Sequence, residues 1–508
     1  MAIHPRVLVL YLLLVLQLAG WRSARAQSPL WAGLHSGQHG VGFQIIDTVD
    51  ATRTFPAASG KAGPRPMRLY VWYPASGRTG RVLTIADLVP ESWANPGVMV
   101  PAEPRAFAQA LMRARSGPAF ATMSDSAANA LLATPLAARL GAAPTAGRWP
   151  VILLAPGQPL AMPVAAEYLA SNGMLVIGVA RKGGQTYESV NFTPNPEAID
   201  TDADDLAFAL GVARGRRDAR AEQLGLVAYS SAGLSTLAFA LRSHAAAAIA
   251  VFEGWEGWEV GQASVKSLRD NDPRGFRSSY LLIEKTDEES APALRKTSAF
   301  FDTMAYAPRW RVAFDSATHT DFASTGVALP AASATLRRNF VAAHELLRDF
   351  FAAHLGATPL TQARWSPAPR GPWEHVSTYQ QRDPVPTSEE FFHLAETNPR
   401  AADSLARSLN ALAPAVVPFS EASLLRLGLL ATQRRPADAA VIYGIVARAF
   451  PGSAAAATGV SDALSAAGRR DEARTAARRA LDLLSNDASM SAGQKASARL
   501  RLTARLEP

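Results

Sequence analysis

Cysteine is absent from the 508-residue chain. No disulfide can brace the fold, and no lipid anchor can be attached through a thiol. Lysine is nearly absent: the 51 basic residues comprise 45 arginines and 6 lysines. The arginines are scattered among alanines with no dense basic run. The net charge of +8 therefore does not make the concentrated footprint that nucleic-acid binding requires, and that class is set aside. Also missing, after the first 26 residues, is any apolar run long enough to span a bilayer. That argues against a stable membrane anchor.

The first 26 residues do hold one apolar run. Val7 to Ala19 is interrupted only by Tyr11 and Gln17, after a weakly basic start at His4 and Arg6. As a helix it would span about 20 Å, short of the roughly 30 Å hydrocarbon core. Ala24-Arg25-Ala26 places small residues where a signal peptidase inspects. The expectation is a signal peptide over 1–26, cleaved near Ala26, and an exported, periplasmic or secreted protein.

The whole chain is 48% hydrophobic and 19% charged, as in ordinary globular proteins, and is long enough for two or three domains. Strand-like and helix-like segments alternate from Val41 to about Leu355. Arg68–Tyr73 reads as a strand. Val151–Leu154 is a continuous apolar run, expected for a strand buried on both faces. A helix near 162–171, a strand at 174–179, a helix at 197–214 and strands at 224–229, 248–252, 280–284 and 310–314 follow. A long amphipathic helix over about 336–354 closes the series. This alternation predicts a mostly parallel, doubly wound sheet in a domain spanning 27–355. Residues 76–149 form an unusually long connection, read as an insertion or lid, with helices expected at Arg105–Arg115 and Ser124–Leu140. Residues 356–386, rich in Pro, Gly, Arg and Trp, read as a linker or strap. Beyond them, 387–508 is helical. Arg435-Pro-Ala-Asp-Ala439 aligns with Arg469-Arg-Asp-Glu-Ala473 at the 34-residue period of tetratricopeptide-like repeats. Such helices offer a surface for a protein partner.

The sharpest chemical signal is Leu226-Val227-Ala228-Tyr229-Ser230-Ser231-Ala232-Gly233. A buried strand runs into small-x-Ser-x-small and straight into a helix, the context of a nucleophile elbow. The turn is so tight that only tiny side chains fit two residues before and after the serine. A serine hydroxyl needs a base to take its proton and an acid to hold that base. In this arrangement acid and then histidine follow the serine on loops after later strands. Of nine histidines only His319 has the right order and loop context. Glu253, after the strand ending at Phe252, is the preferred acid, and Asp287, after the next strand, is the alternative. Two N–H donors for an oxyanion are expected from Ser231 and Gln158, the latter in Ala155-Pro156-Gly157-Gln158. The mechanism needs no metal or cofactor.

Residues 40–355 resemble the plasma-type platelet-activating-factor acetylhydrolases and their bacterial dienelactone-hydrolase-like relatives. The likeness is carried by Arg65-Pro66-Met67-Arg68 leading to Trp72-Tyr73-Pro74-Ala75, and by Pro150 to Gly157 with Tyr168-Leu169-Ala170-Ser171-Asn172-Gly173. The elbow, Val251-Phe252-Glu253-Gly254-Trp255 and Ser316-Ala-Thr-His319-Thr-Asp321-Phe322 complete it. The resemblance implies the α/β-hydrolase fold, with Ser230 as nucleophile, Glu253 as acid, His319 as base, and Gln158 and Ser231 as oxyanion donors. It implies a hydrolase of short acyl or acetyl esters, lipid-derived ones included. This chain departs from the family in its elbow alanines, in Pro156 where many members carry histidine, in glutamate for aspartate, and in its helical C-terminal region. Those departures leave a second expectation, a degenerate hydrolase fold serving as a binding or scaffold protein.

Overall fold

The computed structural model describes residues 28–56, 62–77, 79–88, 122–157, 159, 161–181, 195–286, 292, 295–297, 299–329, 332–356, 376–382, 385–412, 417–487 and 490–507. The expected signal peptide lies outside them. The chain divides into two units, Met1–Asp383 and Pro384–Pro508. Among the described residues no helix is long and apolar enough to cross a membrane.

The first unit is built on a sheet whose strands, in chain order, are β1 (Gly40–Pro56), β2 (Ala62–Ala75), β3 (Arg81–Thr84), β4 (Pro135–Leu140), β5 (Trp149–Leu154), β6 (Leu175–Val179), β7 (Ala219–Tyr229), β8 (Ala248–Phe252), β9 (Ser279–Lys285), β10 (Arg309–Phe314) and β11 (Val376–Arg382). They lie side by side in the order β11-β10-β9-β8-β7-β5-β6-β2-β1-β4-β3. From β6 to β10 all neighbours are parallel, and β2 joins β6 antiparallel. This is the α/β-hydrolase fold.

The apolar run of β5 illustrates why the sheet is buried on both sides. A strand alternates its side chains, so Ile152 and Leu154 enter one core while Val151 and Leu153 enter the other. Helices cover both cores. They are α1 (Asp125–Leu132), α2 (Pro163–Ser171), α3 (Pro196–Arg214), α4 (Ala232–Ser243), α5 (Glu259–Lys266), α6 (Ala299–Thr303), α7 (Ser324–Ala328) and α8 (Ala334–Leu355). Helices α2 and α8 line the first core, with Phe340, Leu347, Phe350 and Phe351 of α8 spaced by three, four or seven so that they share one face. Helices α3 and α4 line the second through Leu206, Leu210, Leu234 and Leu237.

Three expectations are corrected. Ser124–Leu140 is not one helix: α1 stops at Leu132, and Pro135, which has no N–H to continue a helix, opens β4. Strand β4 pairs parallel with β1 and antiparallel with β3, so the described part of the 76–149 insertion lengthens the sheet. The expected helix Arg105–Arg115 lies outside the described residues. Residues 376–382, read as linker, form β11, antiparallel on β10. The first unit therefore extends past Leu355 to Asp383. An edge strand forms its ladder on one side only and tolerates a polar sequence such as Ser377-Thr378-Tyr379-Gln380-Gln381, which hid it from a search for apolar runs.

The second unit is all helical: α9 (Ser388–Thr397), α10 (Pro399–Leu412), α11 (Glu421–Thr432), α12 (Pro436–Ala449), α13 (Ala454–Ala466), α14 (Arg470–Leu484) and α15 (Ala492–Leu506). Helices α12 and α14 begin at Pro436 and Arg470, the offset of the sequence repeat. Tyr443 of α12 packs where α11 and α13 each present a glycine. A Cβ on Gly428 or Gly459 would come within 2.8 or 2.3 Å of the Tyr443 ring.

A buried ion cluster ties the β1–β2 pair to α3. Asp205 has no solvent exposure; it accepts two bonds from Arg65 at 2.8 and 2.6 Å and one from Arg53 at 2.7 Å. Removing one member of such a cluster leaves buried charge uncompensated. Asp205→Asn is expected to lower unfolding free energy by about 3–5 kcal/mol, read from urea denaturation. A loss below about 1 kcal/mol would mean that the cluster is dispensable.

Candidate active site

Ser230 stands between β7 and α4 with φ 60°, a left-handed conformation that non-glycine residues rarely adopt. The bend is held on both sides. Its N–H donates to the Phe252 carbonyl at 2.8 Å, carrying the β7–β8 ladder one residue beyond the strand, and its carbonyl accepts from Gly233 N–H at 3.1 Å. Ala228 and Ala232 have no solvent exposure, which is the physical reason for small residues at both places.

Glu253 repeats the pattern one strand over. It follows β8 with φ 50°, and its N–H donates to the Ile283 carbonyl at 2.7 Å. Two neighbouring strands thus end in left-handed residues, strain that commonly accompanies functional positions. The Glu253 side chain is fully buried. One oxygen, Oε1, accepts from Lys285 N–H at 2.6 Å and Lys296 Nζ at 2.7 Å; the other, Oε2, lies 3.1 Å from His319 Nδ1. Burial pushes this carboxyl up, but the His319 bond and the Lys296 charge outweigh it and hold the group below its ordinary value.

His319 opens a short 3₁₀ turn after β10. Asp321 fixes that turn by accepting Thr318 N–H at 3.0 Å and Thr318 Oγ1–H at 2.5 Å. Tyr229, next to the serine, donates its hydroxyl to the His319 carbonyl at 2.8 Å and stacks on the imidazole at 4.9 Å. Trp258 meets the ring edge-on at 5.4 Å. His319 Nε2 lies 3.0 Å from Ser230 Oγ. With Nδ1–H donating to Glu253, Nε2 is free to accept the serine proton. The imidazole keeps 31% side-chain exposure, while the Glu253 side chain has none.

The expected residues Ser230, His319 and Glu253 therefore converge. Ser231 follows the serine at the start of α4, and among the described residues nothing accepts its N–H. Gln158 and Asp287 lie outside the described residues. Gly157 has φ 80°, and a turn with that geometry excludes most other residues. Among the described residues no cluster of three or more His, Asp or Glu side chains could hold a metal ion.

Three supporting residues escaped the sequence reading. Lys296 reaches Glu253 from a segment 43 positions away. Ser324, at the start of α7, caps α2 across the fold: its Oγ accepts Val164 N–H at 3.2 Å, and its N–H donates to the Ala161 carbonyl at 2.8 Å. This ties the histidine loop to the helix after β5. Met162, at the N-cap of α2, supplies no side-chain bond, and that deficit was the available signal. The third is Glu256, buried beneath the elbow, which accepts the Tyr280 hydroxyl at 2.5 Å. A Cβ on Gly233 or Gly254 would come within 2.3 or 2.1 Å of its carboxylate, so both glycines are needed for close approach.

No protein-family model and no curated protein matches the chain. Among solved structures it is similar to a ferulic acid esterase from Streptomyces cinnamoneus, at 16% identity and TM-score 0.48, over 69% of this chain and 98% of that one. The α/β-hydrolase fold is defined by the strand order itself.

Burial raises the Glu256 carboxyl from 4.5 to about 7. The folded state then binds a proton that the unfolded chain releases, so this stabilisation is complete below pH 4.5 and is lost as pH rises through 7. The difference across that window is about 3 kcal/mol. Glu256→Gln is expected to flatten the fall in Tm between pH 5 and pH 7.5 (about the window set by this linkage), measured by calorimetry. An unchanged slope would rule this linkage out.

Proposed function

We propose that this protein is a serine hydrolase of carboxylic esters, and a single observation carries the reading. Ser230 Oγ, His319 and Glu253 form one hydrogen-bonded chain, with links of 3.0 and 3.1 Å; the serine and the acid follow the adjacent strands β7 and β8, and the histidine lies in the loop after β10. His319 Nε2 takes the hydroxyl proton as Ser230 Oγ attacks the ester carbonyl. The buried Glu253 carboxylate keeps Nδ1 protonated and stabilises the imidazolium that forms. Negative charge gathers on the carbonyl oxygen beside the Ser231 N–H and the N-terminal end of α4, which favour it. The imidazolium then returns its proton to the leaving alcohol. Water, deprotonated by the same imidazole, releases the acyl group.

Within this class, short acyl or acetyl esters are the proposed substrates, lipid-derived ones included. The support is the residue-level resemblance to platelet-activating-factor acetylhydrolases and dienelactone-hydrolase-like proteins around Trp72, Gly157, Ser230, Glu253 and His319. Export to the periplasm or medium belongs to the same proposal, supported by Val7–Ala19 and Ala24-Arg25-Ala26.

A fluorophosphonate probe is expected to label the wild type but not Ser230→Ala. p-Nitrophenyl esters of rising chain length should be cleaved fastest when short. Glu253→Gln should lower kcat by roughly 10⁴-fold with little change in KM, while Asp287→Asn stays near wild type. A severe loss confined to Asp287→Asn would transfer the acid role. Absence of labelling in folded wild type would leave the binding or scaffold reading.

A further inference from the structure

Triad carboxylates need donors on the oxygen that does not face histidine, and backbone N–H groups can supply them. Here one of the two donors is a charged side chain. Lys296 Nζ lies 2.7 Å from Glu253 Oε1 and 3.2 Å from Glu284 Oε2, and Arg311 Nε pairs with the other Glu284 oxygen. The result is an alternating row: His319, Glu253, Lys296, Glu284, Arg311. Its lysine is 10% exposed, and its two glutamates 0% and 1%.

The backbone fixes the ammonium in place. Residues 295–297 are zipped onto the turn after β8: Glu259 N–H donates to the Arg295 carbonyl at 2.9 Å, and Thr297 N–H to the Gly257 carbonyl at 2.8 Å. Trp258 and Lys296 form the bridge between these bonds. The Lys296 ammonium also lies 4.9 Å from the centre of the Trp258 ring, whose edge meets His319. The lysine is therefore locked by main-chain bonds, by two carboxylates and by an aromatic face.

We propose that Lys296 is a positioning residue for the catalytic pair: its fixed positive charge aligns the Glu253 carboxylate and limits how strongly that carboxylate draws a proton onto His319. The proposal rests on the serine-hydrolase reading for its catalytic consequence, but not for its electrostatics. The groups around Glu253 are His319 after β10, Lys296, Glu284 and the Lys285 N–H of β9, Glu256 after β8 and Tyr229 of β7. Arg311 of β10 lies behind Glu284, and Asp321 lies near Tyr229. The charges of Glu253 and Glu284 are matched by Lys296 and Arg311 through direct ion pairs, while Glu256, raised to about 7, is partly protonated near neutral pH. Deleting the ammonium leaves an unbalanced anion beside the imidazole, so the imidazolium is favoured and less free base is present at a given pH.

The test is Lys296→Met, which keeps the stem and removes the charge, with Lys296→Arg as the conservative replacement. The imidazole titration of His319 is followed by NMR on ¹⁵N-histidine-labelled full-length protein, with His319→Gln assigning the signal. The expected result is an upward shift of about one pH unit in the Met variant, from a charge placed at this range, and recovery in the Arg variant. In parallel, the acidic limb of kcat/KM for p-nitrophenyl acetate should move upward, and below it kcat should fall about tenfold with KM unchanged. A folded Lys296→Met whose His319 titrates as in wild type overturns the proposal. Should Met prevent folding, Lys296→Gln, which retains an amide donor, carries the same expected shift. The NMR titration is read whether or not esters are cleaved. A wild type inert to the fluorophosphonate would therefore sink the hydrolase reading and leave the Lys296 result to stand or fall separately.

Discussion

A carboxylate withdrawn entirely from water must be surrounded by donors, and Glu253 imposes that demand on its surroundings. Its burial costs several kcal/mol unless charge and hydrogen bonds offset it. Meeting that cost recruits the Lys285 N–H from β9, Lys296 from a segment pinned to the turn after β8, and His319 from the loop after β10. Once these partners are in place, the imidazole has one orientation, and its second nitrogen points at Ser230.

The sheet makes this economical. Strands β7 and β8 are adjacent and parallel, so Ser230 and Glu253 leave it side by side, each with its N–H bonded to the next strand. Both residues carry positive φ, and the ladder bonds hold that strain. The two buried cores on either face make the strand ends rigid. The loops are then secured by individual bonds: Tyr229 to the His319 carbonyl, Asp321 within the histidine turn, and Ser324 to α2.

Burial also divides the carboxyls beneath the site into two kinds. Glu253, with a cation and an imidazole against it, is held ionised; Glu256, buried and with the Tyr280 hydroxyl as its one side-chain donor among the described residues, is raised to about 7. The same residue type three positions apart is thus held in two different states, one ionised and one, under the elbow glycines, partly protonated near neutral pH. Histidine shows the same effect. His344 and His354, buried on α8, are lowered to about 4 and stay neutral, whereas His319 keeps access to water.

The sequence alone was enough to establish what depends on neighbours along the chain. It placed the parallel strands β5 to β10 and the long helix α8, the strand–serine–helix bend, and the order of acid and histidine after it, because alternation, tight-turn sterics and chain order are local properties. It misread Pro135–Leu140 and Val376–Arg382, short strands whose weak local pattern becomes a strand only when β1, β3 or β10 supplies the ladder. It gave no sign of Lys296 or the Arg53–Arg65–Asp205 cluster, and of Ser324 only the uncapped start of α2 at Met162. A lysine beside an arginine or a serine in a loop looks like solvated surface until folding removes the water, and only then does distance in space, which no periodicity encodes, decide which charges must meet.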